Sequence, residues 1–392
     1  MKKMKKRIVK GSMLVLSVML IMTFLVPVSL ANVTSSRYSD LSAVEVTTIG
    51  GVLNNVLSSE LNILKTGTAK DYSNVINDDK LLQLMQDTGK FKEEWYKDID
   101  FKIYSYNSNV KMNNATKLST NKYMLDVTFK AKLILAKDFR IHPEMLNHYV
   151  CEVEKKSGQW VIDKLVDKAD YRDITQAKNA TLVNNDNANI LANSNMILDV
   201  KLNDLKKRLA NIDNLAKSYK KIMQQSRKNL LSGHETAIPS YSGTNRQAIV
   251  NYATTYAMNH NPNYKYIKGA DCTNFASQAV HAGGVPINTS YWYPGSPDWI
   301  NVVDFCSYMV NNGYARESSL DRNDQNGVTD NISLGDVIQW RHSYWTYSHS
   351  TIATYESDTY GWLLSAHSHD RLNYPMSIYY SDFYSARDIY FW

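Results

Sequence analysis

The chain has 392 residues, more than one ordinary core accommodates, so two or three domains are expected. Its formal charge of +6 resides in Lys2, Lys3, Lys5, Lys6, Arg7 and Lys10; without them lysine plus arginine falls from 44 to 38, against 38 acidic residues. The remainder is formally neutral, which excludes global attraction to nucleic acid or an anionic surface, and three cysteines exclude a disulfide framework.

The leading charges precede an apolar run from Met13 to Val26, and Ser29-Leu30-Ala31 offers the small residues that a signal peptidase reads. The run is shorter than the ~18 apolar residues of a membrane span. Residues 1–31 are therefore expected to be a cleaved signal peptide, with an uncleaved anchor as the alternative. The mature chain would be secreted, or associated with the cell wall, with no stable membrane span.

From Leu41 to about Leu64 the apolar spacing is helical, with Gly50-Gly51 as a weak point, and a short helix is expected from Asp79 to Asp87. Segments 101–106, 123–133 and 149–153 alternate like half-buried strands, and Lys155-Lys156-Ser157-Gly158 turns into a further strand over 159–165. Helices followed by antiparallel strands make an α+β accessory domain over residues 40–170. Its order resembles the nuclear transport factor two-like fold, in pattern only, and the expected role is spacing or binding.

Residues 171–195, rich in asparagine, read as a linker. Over 196–232 a single long helix is expected, because Leu198, Leu202, Leu205, Leu209, Ile212, Ala216, Tyr219 and Met223 follow a heptad seam. That seam fits a dimer contact or an arm packed on a neighbouring domain. Ser232-Gly233 and Ile238-Pro239 end it.

The last domain spans 241–392. Asn245 is expected to cap its first helix and Asp298 a later one, with strands at 335–340, 349–355, 362–367 and 387–391; helices followed by strands give a second α+β unit. Between the helices stands Ala270-Asp271-Cys272-Thr273-Asn274-Phe275-Ala276-Ser277-Gln278. Asp271 suits an N-cap and Cys272 the first helical position, where unpaired amides and the helix dipole favour a thiolate, against part of which the Asp271 carboxylate works. Cys306 has the spacing of a core residue and Cys151 lies mid-strand. A thiol hydrolase needs a base within reach of sulfur and a group to hold the base. His349 opens one strand and His367 closes the next, so both imidazoles are expected at one end of the sheet. His342 is a competing base. No metal is expected, because no histidine pair has helical ligand spacing and no cysteines cluster.

At Asp271 to Gln278, Gly283-Gly284, Leu334-Gly335-Asp336-Val337-Ile338 and Ser348-His349-Ser350-Thr351-Ile352-Ala353, the last domain resembles the putative bacterial amidase domain family, relatives of the NlpC-type and CHAP-type papain-like wall hydrolases. The resemblance implies a papain-like fold with Cys272 as nucleophile, His349 as general base and then acid, and His367 as the residue orienting His349. Asp370 is the alternative orienting residue. The Cys272 amide would donate to the oxyanion, with the hydroxyl of Tyr266 or Tyr264 as second donor. No cofactor is implied, and the implied substrate is a cell-wall peptide or peptidoglycan. A wall-binding or structural module with a degenerate hydrolase domain is the alternative. The aromatic loop Tyr291 to Trp299 would wall the cleft or cap the core.

Overall fold

A computed structural model describes residues 40–177, 186–231, 243–319, 332–342 and 346–391. The expected signal peptide, residues 178–185 of the expected linker and the breaks at 232–242 lie outside the described residues.

The N-terminal half opens with α1 (Ala43–Leu57) and α2 (Ser59–Thr66). A capping box between Ser42 and Glu45 satisfies the first amides of α1. The helix passes through Gly50-Gly51 and breaks instead at Ser58, whose hydroxyl donates to Asn54 O at 2.6 Å. Next, α3 (Asp79–Asp98) continues past the expected end at Asp87, because Phe91, Trp95 and Tyr96 extend its buried face. Four antiparallel strands follow: β1 (Ile103–Ser119), β2 (Lys122–Leu135), β3 (Glu144–Lys156) and β4 (Gln159–Asp167). The β3–β4 turn uses left-handed Ser157 and Gly158, at φ +48° and +83°.

The expected linker contains two helices, α4 (Lys168–Ala177) and α5 (Asn187–Ala192). The apolar residues spaced between its asparagines, Ile174, Ile190 and Leu191, are buried against Val150 and Val166 of the strands. The expected single helix is two, α6 (Ser194–Leu209) and α7 (Ile212–Leu231), separated where Asn211 Oδ1 accepts from Asn214 Nδ2 at 2.7 Å and competes with the continuing helix. The heptad seam is covered by this chain: Leu198, Leu205, Ile212, Ala216 and Tyr219 are buried in the core.

In the C-terminal region α8 (Arg246–Tyr256) is capped by Asn245, as expected. Then come α9 (Cys272–Ala282), α10 (Pro297–Ile300) and α11 (Val302–Asn311), the last capped by Asn301 rather than Asp298. Strands β5 (Ala315–Ser319), β6 (Val337–Arg341), β7 (Tyr347–Ser357), β8 (Gly361–Ala366) and β9 (Asp370–Pro375) follow, then α12 (Met376–Asp382) and β10 (Ser385–Phe391). The α+β class holds throughout, mixed helix on antiparallel sheet.

The described strands make one sheet in the order β1-β2-β3-β9-β8-β7-β6-β10-β5, with β4 also on β3. The halves join at β3, where Glu144–Leu146 pairs with Leu372–Asp370 of β9. Along β6 and β7, Val337 and Ile352 face a core with Ile249, Phe275 and Met309 from α8, α9 and α11. Their neighbours Ile338 and Ala353 face Trp95, Tyr219 and Tyr380 from α3, α7 and α12. This alternation puts α8, α9 and α11 on one face and the N-terminal half, through α12, on the other.

Candidate active site

The site lies at the first turn of α9. Asp271 precedes it with φ −92° and ψ −1°, a helical conformation that turns its carboxylate away from the amides of that turn. Oδ1 accepts from Ile267 N at 2.8 Å and Asn274 Nδ2 at 2.8 Å, and Oδ2 meets His367 Nδ1 at 2.7 Å. The expected N-cap is thus replaced by Ser368, whose Oγ accepts from the amides of Asp271 at 2.9 Å and Cys272 at 3.1 Å. The amide expected to serve the oxyanion is occupied by that hydroxyl.

Cys272 is 7% exposed. Its Sγ lies 3.8 Å from Thr273 Oγ1 and 4.0 Å from Ser348 O, and the Ser350 amide of β7 also favours its anion. Burial and the charge of Asp173 outweigh these donors and push the thiol up from its usual value. The expected thiolate is therefore a neutral thiol, since desolvation exceeds the helix-terminal field here.

His349 is 1% exposed, and burial, with His369 and Arg371 nearby, holds it well below the usual imidazole range. Its ring stacks with Tyr379 and Phe383, each at 5.9 Å between centroids, on the α12 face of the sheet. Ser350, the next residue, points to α9 and meets Thr273 Oγ1 at 3.0 Å. Strand β7 therefore brings its backbone to the sulfur while turning the imidazole to the other face. Among the described residues no hydrogen bond joins Sγ to His349, and His349 Nε2 is buried without a partner.

His367 does not orient His349. Continuing the Ile352↔Ser365 register of β7 and β8 sets His367 opposite Ser350, hence on the α9 face. Its two nitrogens are engaged, by Asp271 Oδ2 and by Tyr256 O at 2.7 Å, and its ring stacks on Phe275 at 4.1 Å. Burial opposes its cation, but Asp271 and Asp370 raise its affinity for a proton. Asp370 shares the charge environment of His367, His260 and His148 and is raised by burial. Tyr266 stacks on His260 at 3.6 Å and Tyr264 on Trp299 at 6.0 Å; neither hydroxyl bonds the Cys272 sulfur or amide. In the aromatic loop Trp292 and Trp299 are core residues, 4.5 Å apart, whereas Tyr291 and Tyr293 are exposed.

Three neighbours, His369, Arg172 and Asp173, are not singled out by the sequence as site residues. His369 contacts the His349 ring at 6.0 Å, nearly perpendicular at 74°. Its Nε2 lies 3.4 Å from Asp167 Oδ1 and 3.7 Å from Asp170 Oδ1. From α4, Arg172 donates to Lys268 O at 2.5 Å in the loop before α9, and Asp173, pushed up to about 7 by burial, acts electrostatically on Cys272. Sequence spacing does not report these contacts, because Asp167, Asp170 and Asp173 lie about 200 residues from His369. Asp167, Asp170, Asp173, His342, His369 and Tyr379 line a cavity of about 300 Å³ between the halves. His342, the competing base, stands there against Phe383 at 4.5 Å and is lowered by burial.

Asp167, Asp170 and His369, and likewise His260, Asp271 and His367, hold potential ligand atoms within 4.8 Å of one another. Each cluster already contains a histidine–carboxylate pairing, and Lys201 bonds Asp170. Neither is assigned to a metal.

A family model described as a putative amidase domain matches residues 243–392, so the expected family is the one found for the C-terminal region. The description of that family suggests amide hydrolysis for this region. The chain is also 34% identical over 155 residues to the uncharacterized protein YjcM of Bacillus subtilis (strain 168). This match covers 38% of the chain and 36% of that relative, so the chain spans about a third of the relative's length. A solved structure, that of the Kfla4162 protein from Kribbella flavida, has 10% identity over 31% of this chain and 89% of that one, with a TM-score of 0.20. That score carries no argument about the fold.

Proposed function

We propose that the protein is a secreted cysteine amidohydrolase with a papain-like C-terminal region that cleaves an amide bond in cell-wall peptides. The observation that carries the reading is Cys272 at the first turn of α9, 4.0 Å from the backbone of the strand that bears His349. Neutral thiol and neutral imidazole are a competent starting pair, because the proton need only leave sulfur as attack begins. Sulfur adds to the carbonyl carbon, its proton passes to His349, and the C–N bond breaks as that proton moves to the departing amine. Water then attacks the thioester, gives a proton to His349, and sulfur recovers it as the acid leaves. Substrate must displace Ser368 Oγ from the Cys272 amide, and the His349 ring, stacked on Tyr379 and Phe383 on the other face of β7, must turn to the face of the sulfur before it can take the proton.

The test is mass spectrometry of peptidoglycan fragments after incubation with the protein, with Cys272→Ala in parallel. New peptide ends that require Cys272 support the reading, and their chemistry names the bond. A second reading, wall binding without catalysis, is favoured by the absence of a Cys272–His349 hydrogen bond among the described residues. It requires wall binding that is unchanged in Cys272→Ala and no new ends.

A further inference from the structure

We propose that the cavity between the halves is a binding site for a primary alkylammonium group, which Asp173 receives through its carboxylate and Tyr379 through its hydroxyl. The site stands apart from the amidase reading, since neither Cys272 nor His349 lines the cavity. The space measures about 300 Å³, and Leu61, Leu81, Leu84, Ile197 and Leu198, from α2, α3 and α6, give it an apolar wall. A void of about 150 Å³ holds benzene, so this one admits a chain of roughly six carbons with its head group.

Two polar groups of the wall lack partners. Tyr379 is 5% exposed and borders the cavity, yet its hydroxyl has no hydrogen bond among the described residues. A buried hydroxyl left unpaired is costly, and a ligand that pairs with it removes the cost. Asp173 also lines the cavity, and among the described residues no hydrogen bond or ion pair engages its carboxyl. The cations of the wall, by contrast, are committed. Lys92 is held by Glu60 and Asp382, Lys201 by Asp170, Arg208 by Asp204, and Arg371 by Asn147 Oδ1 and the Asp370 carbonyl. His369 faces Asp167. An anion entering this space finds its counter-charges taken, whereas a cation finds a carboxyl without a partner. With Asp173 the wall carries six carboxyl groups against four side chains of lysine and arginine, so the balance of charge also favours a cation.

The charged and titratable groups that face Asp173 are Asp170 and Arg172 on α4, Asp167 at the end of β4, His369 in the β8–β9 turn and the Cys272 thiol on α9. Burial pushes its carboxyl up to about 7, so below that pH the group is mostly neutral. An ammonium that hydrogen-bonds to it favours the carboxylate, and the proton leaves to solvent. Binding in mild acid is therefore coupled to proton release.

The experiment titrates the full chain with n-hexylammonium by calorimetry, in two buffers of different ionisation enthalpy, with hexanoate and hexanol as controls of equal chain length. Hexylammonium is expected to bind, to raise Tm, and to release most of a proton per site at pH 6 but almost none at pH 9. Asp173→Asn is expected to weaken binding roughly tenfold or more and to abolish the release, with no fall in Tm, because no pairing within the fold is lost. Tyr379→Phe is expected to weaken it about threefold. Nα-acetyl-lysine amide separates two sources of the same group: tighter binding than hexylammonium assigns the site to a peptide side chain, weaker binding to a free amine. Hexanoate or hexanol bound as tightly as hexylammonium, affinity unchanged in Asp173→Asn, or no binding of hexylammonium overturns the proposal. Hydrolysis is not the readout, so failure of the amidase reading leaves each of these outcomes intact.

Discussion

Asp167 and His369 set one another's charge, and pH therefore acts on stability through them. Burial opposes ionisation of Asp167, but His369 and Lys201 bring it down to about 2, while His369 is raised. A raised histidine stabilises the fold fully below its unfolded value of about 6.5 and loses that contribution as pH rises through the folded value. A depressed carboxylate stabilises above its unfolded value of about 3.9 and loses the effect as pH falls through about 2. The two windows overlap near pH 5. Asp167→Asn should thus cost most near pH 5 and less at pH 9, read from urea unfolding at each pH; an equal loss at both would remove the pairing. For Cys272 the raised thiol predicts alkylation by iodoacetamide at pH 7 that is slower than that of a free cysteine, with the rate still rising above pH 9. Alkylation as fast as free cysteine would show that the thiol is neither buried nor raised.

At the scale of elements, the C-terminal strands were legible where β-branched and aromatic residues alternate, as in β6 and β7, and so was the cap of α8 at Asn245. At the candidate site, the helix start at Cys272 and the strand that carries His349 were legible. The face that His367 takes was not, because one irregular residue decides it. The register shifts between Ala353 and Tyr355 of β7, so the face of each residue beyond it depends on a bulge that has no fixed sequence signal. Strand β9 was missed because it is short and polar, and it becomes a strand by adding to β3 across the molecule. One step into the sheet makes its own prediction. Gly335 has φ +87°, and a Cβ there would lie 3.0 Å from Arg246 O. Gly335→Ala should lose roughly 1–3 kcal/mol, seen as a lower Tm, because strain and a backbone clash act together. Nearby, Arg246 is buried and bonds Leu334 O, Phe391 O and Asp336. Arg246→Ala should cost more, about 3–5 kcal/mol, by stranding the Asp336 carboxylate.

Across the whole molecule the separation into an accessory domain and a hydrolase domain meets a continuous sheet and a shared core. Trp95 of the N-terminal half donates from Nε1 to Ser377 O at 3.2 Å, stacks on Tyr380 at 6.2 Å and packs on Tyr219 at 5.7 Å. Beside it the buried Lys92 bonds Ser381 Oγ and Asp382 Oδ1, each at 2.6 Å. Trp340, Tyr379, Tyr380 and Phe383 belong to the matched region, yet they share a core with α1, α3 and β2. Removing the N-terminal half would expose that face and leave β9 as an unpaired edge. The halves should therefore unfold together. Trp95→Ala, at about 3–5 kcal/mol for a buried tryptophan, should lower the urea midpoint equally by two probes. One is hydrogen exchange in β1 and β2; the other is alkylation of Cys272, whose burial depends on the distant α9. Coincident shifts mean that the fold of the N-terminal half governs access to the thiol. If β1 and β2 lose protection while Cys272 stays shielded, the C-terminal region is stable by itself, and the shared core with α3 is not what holds α9 in place.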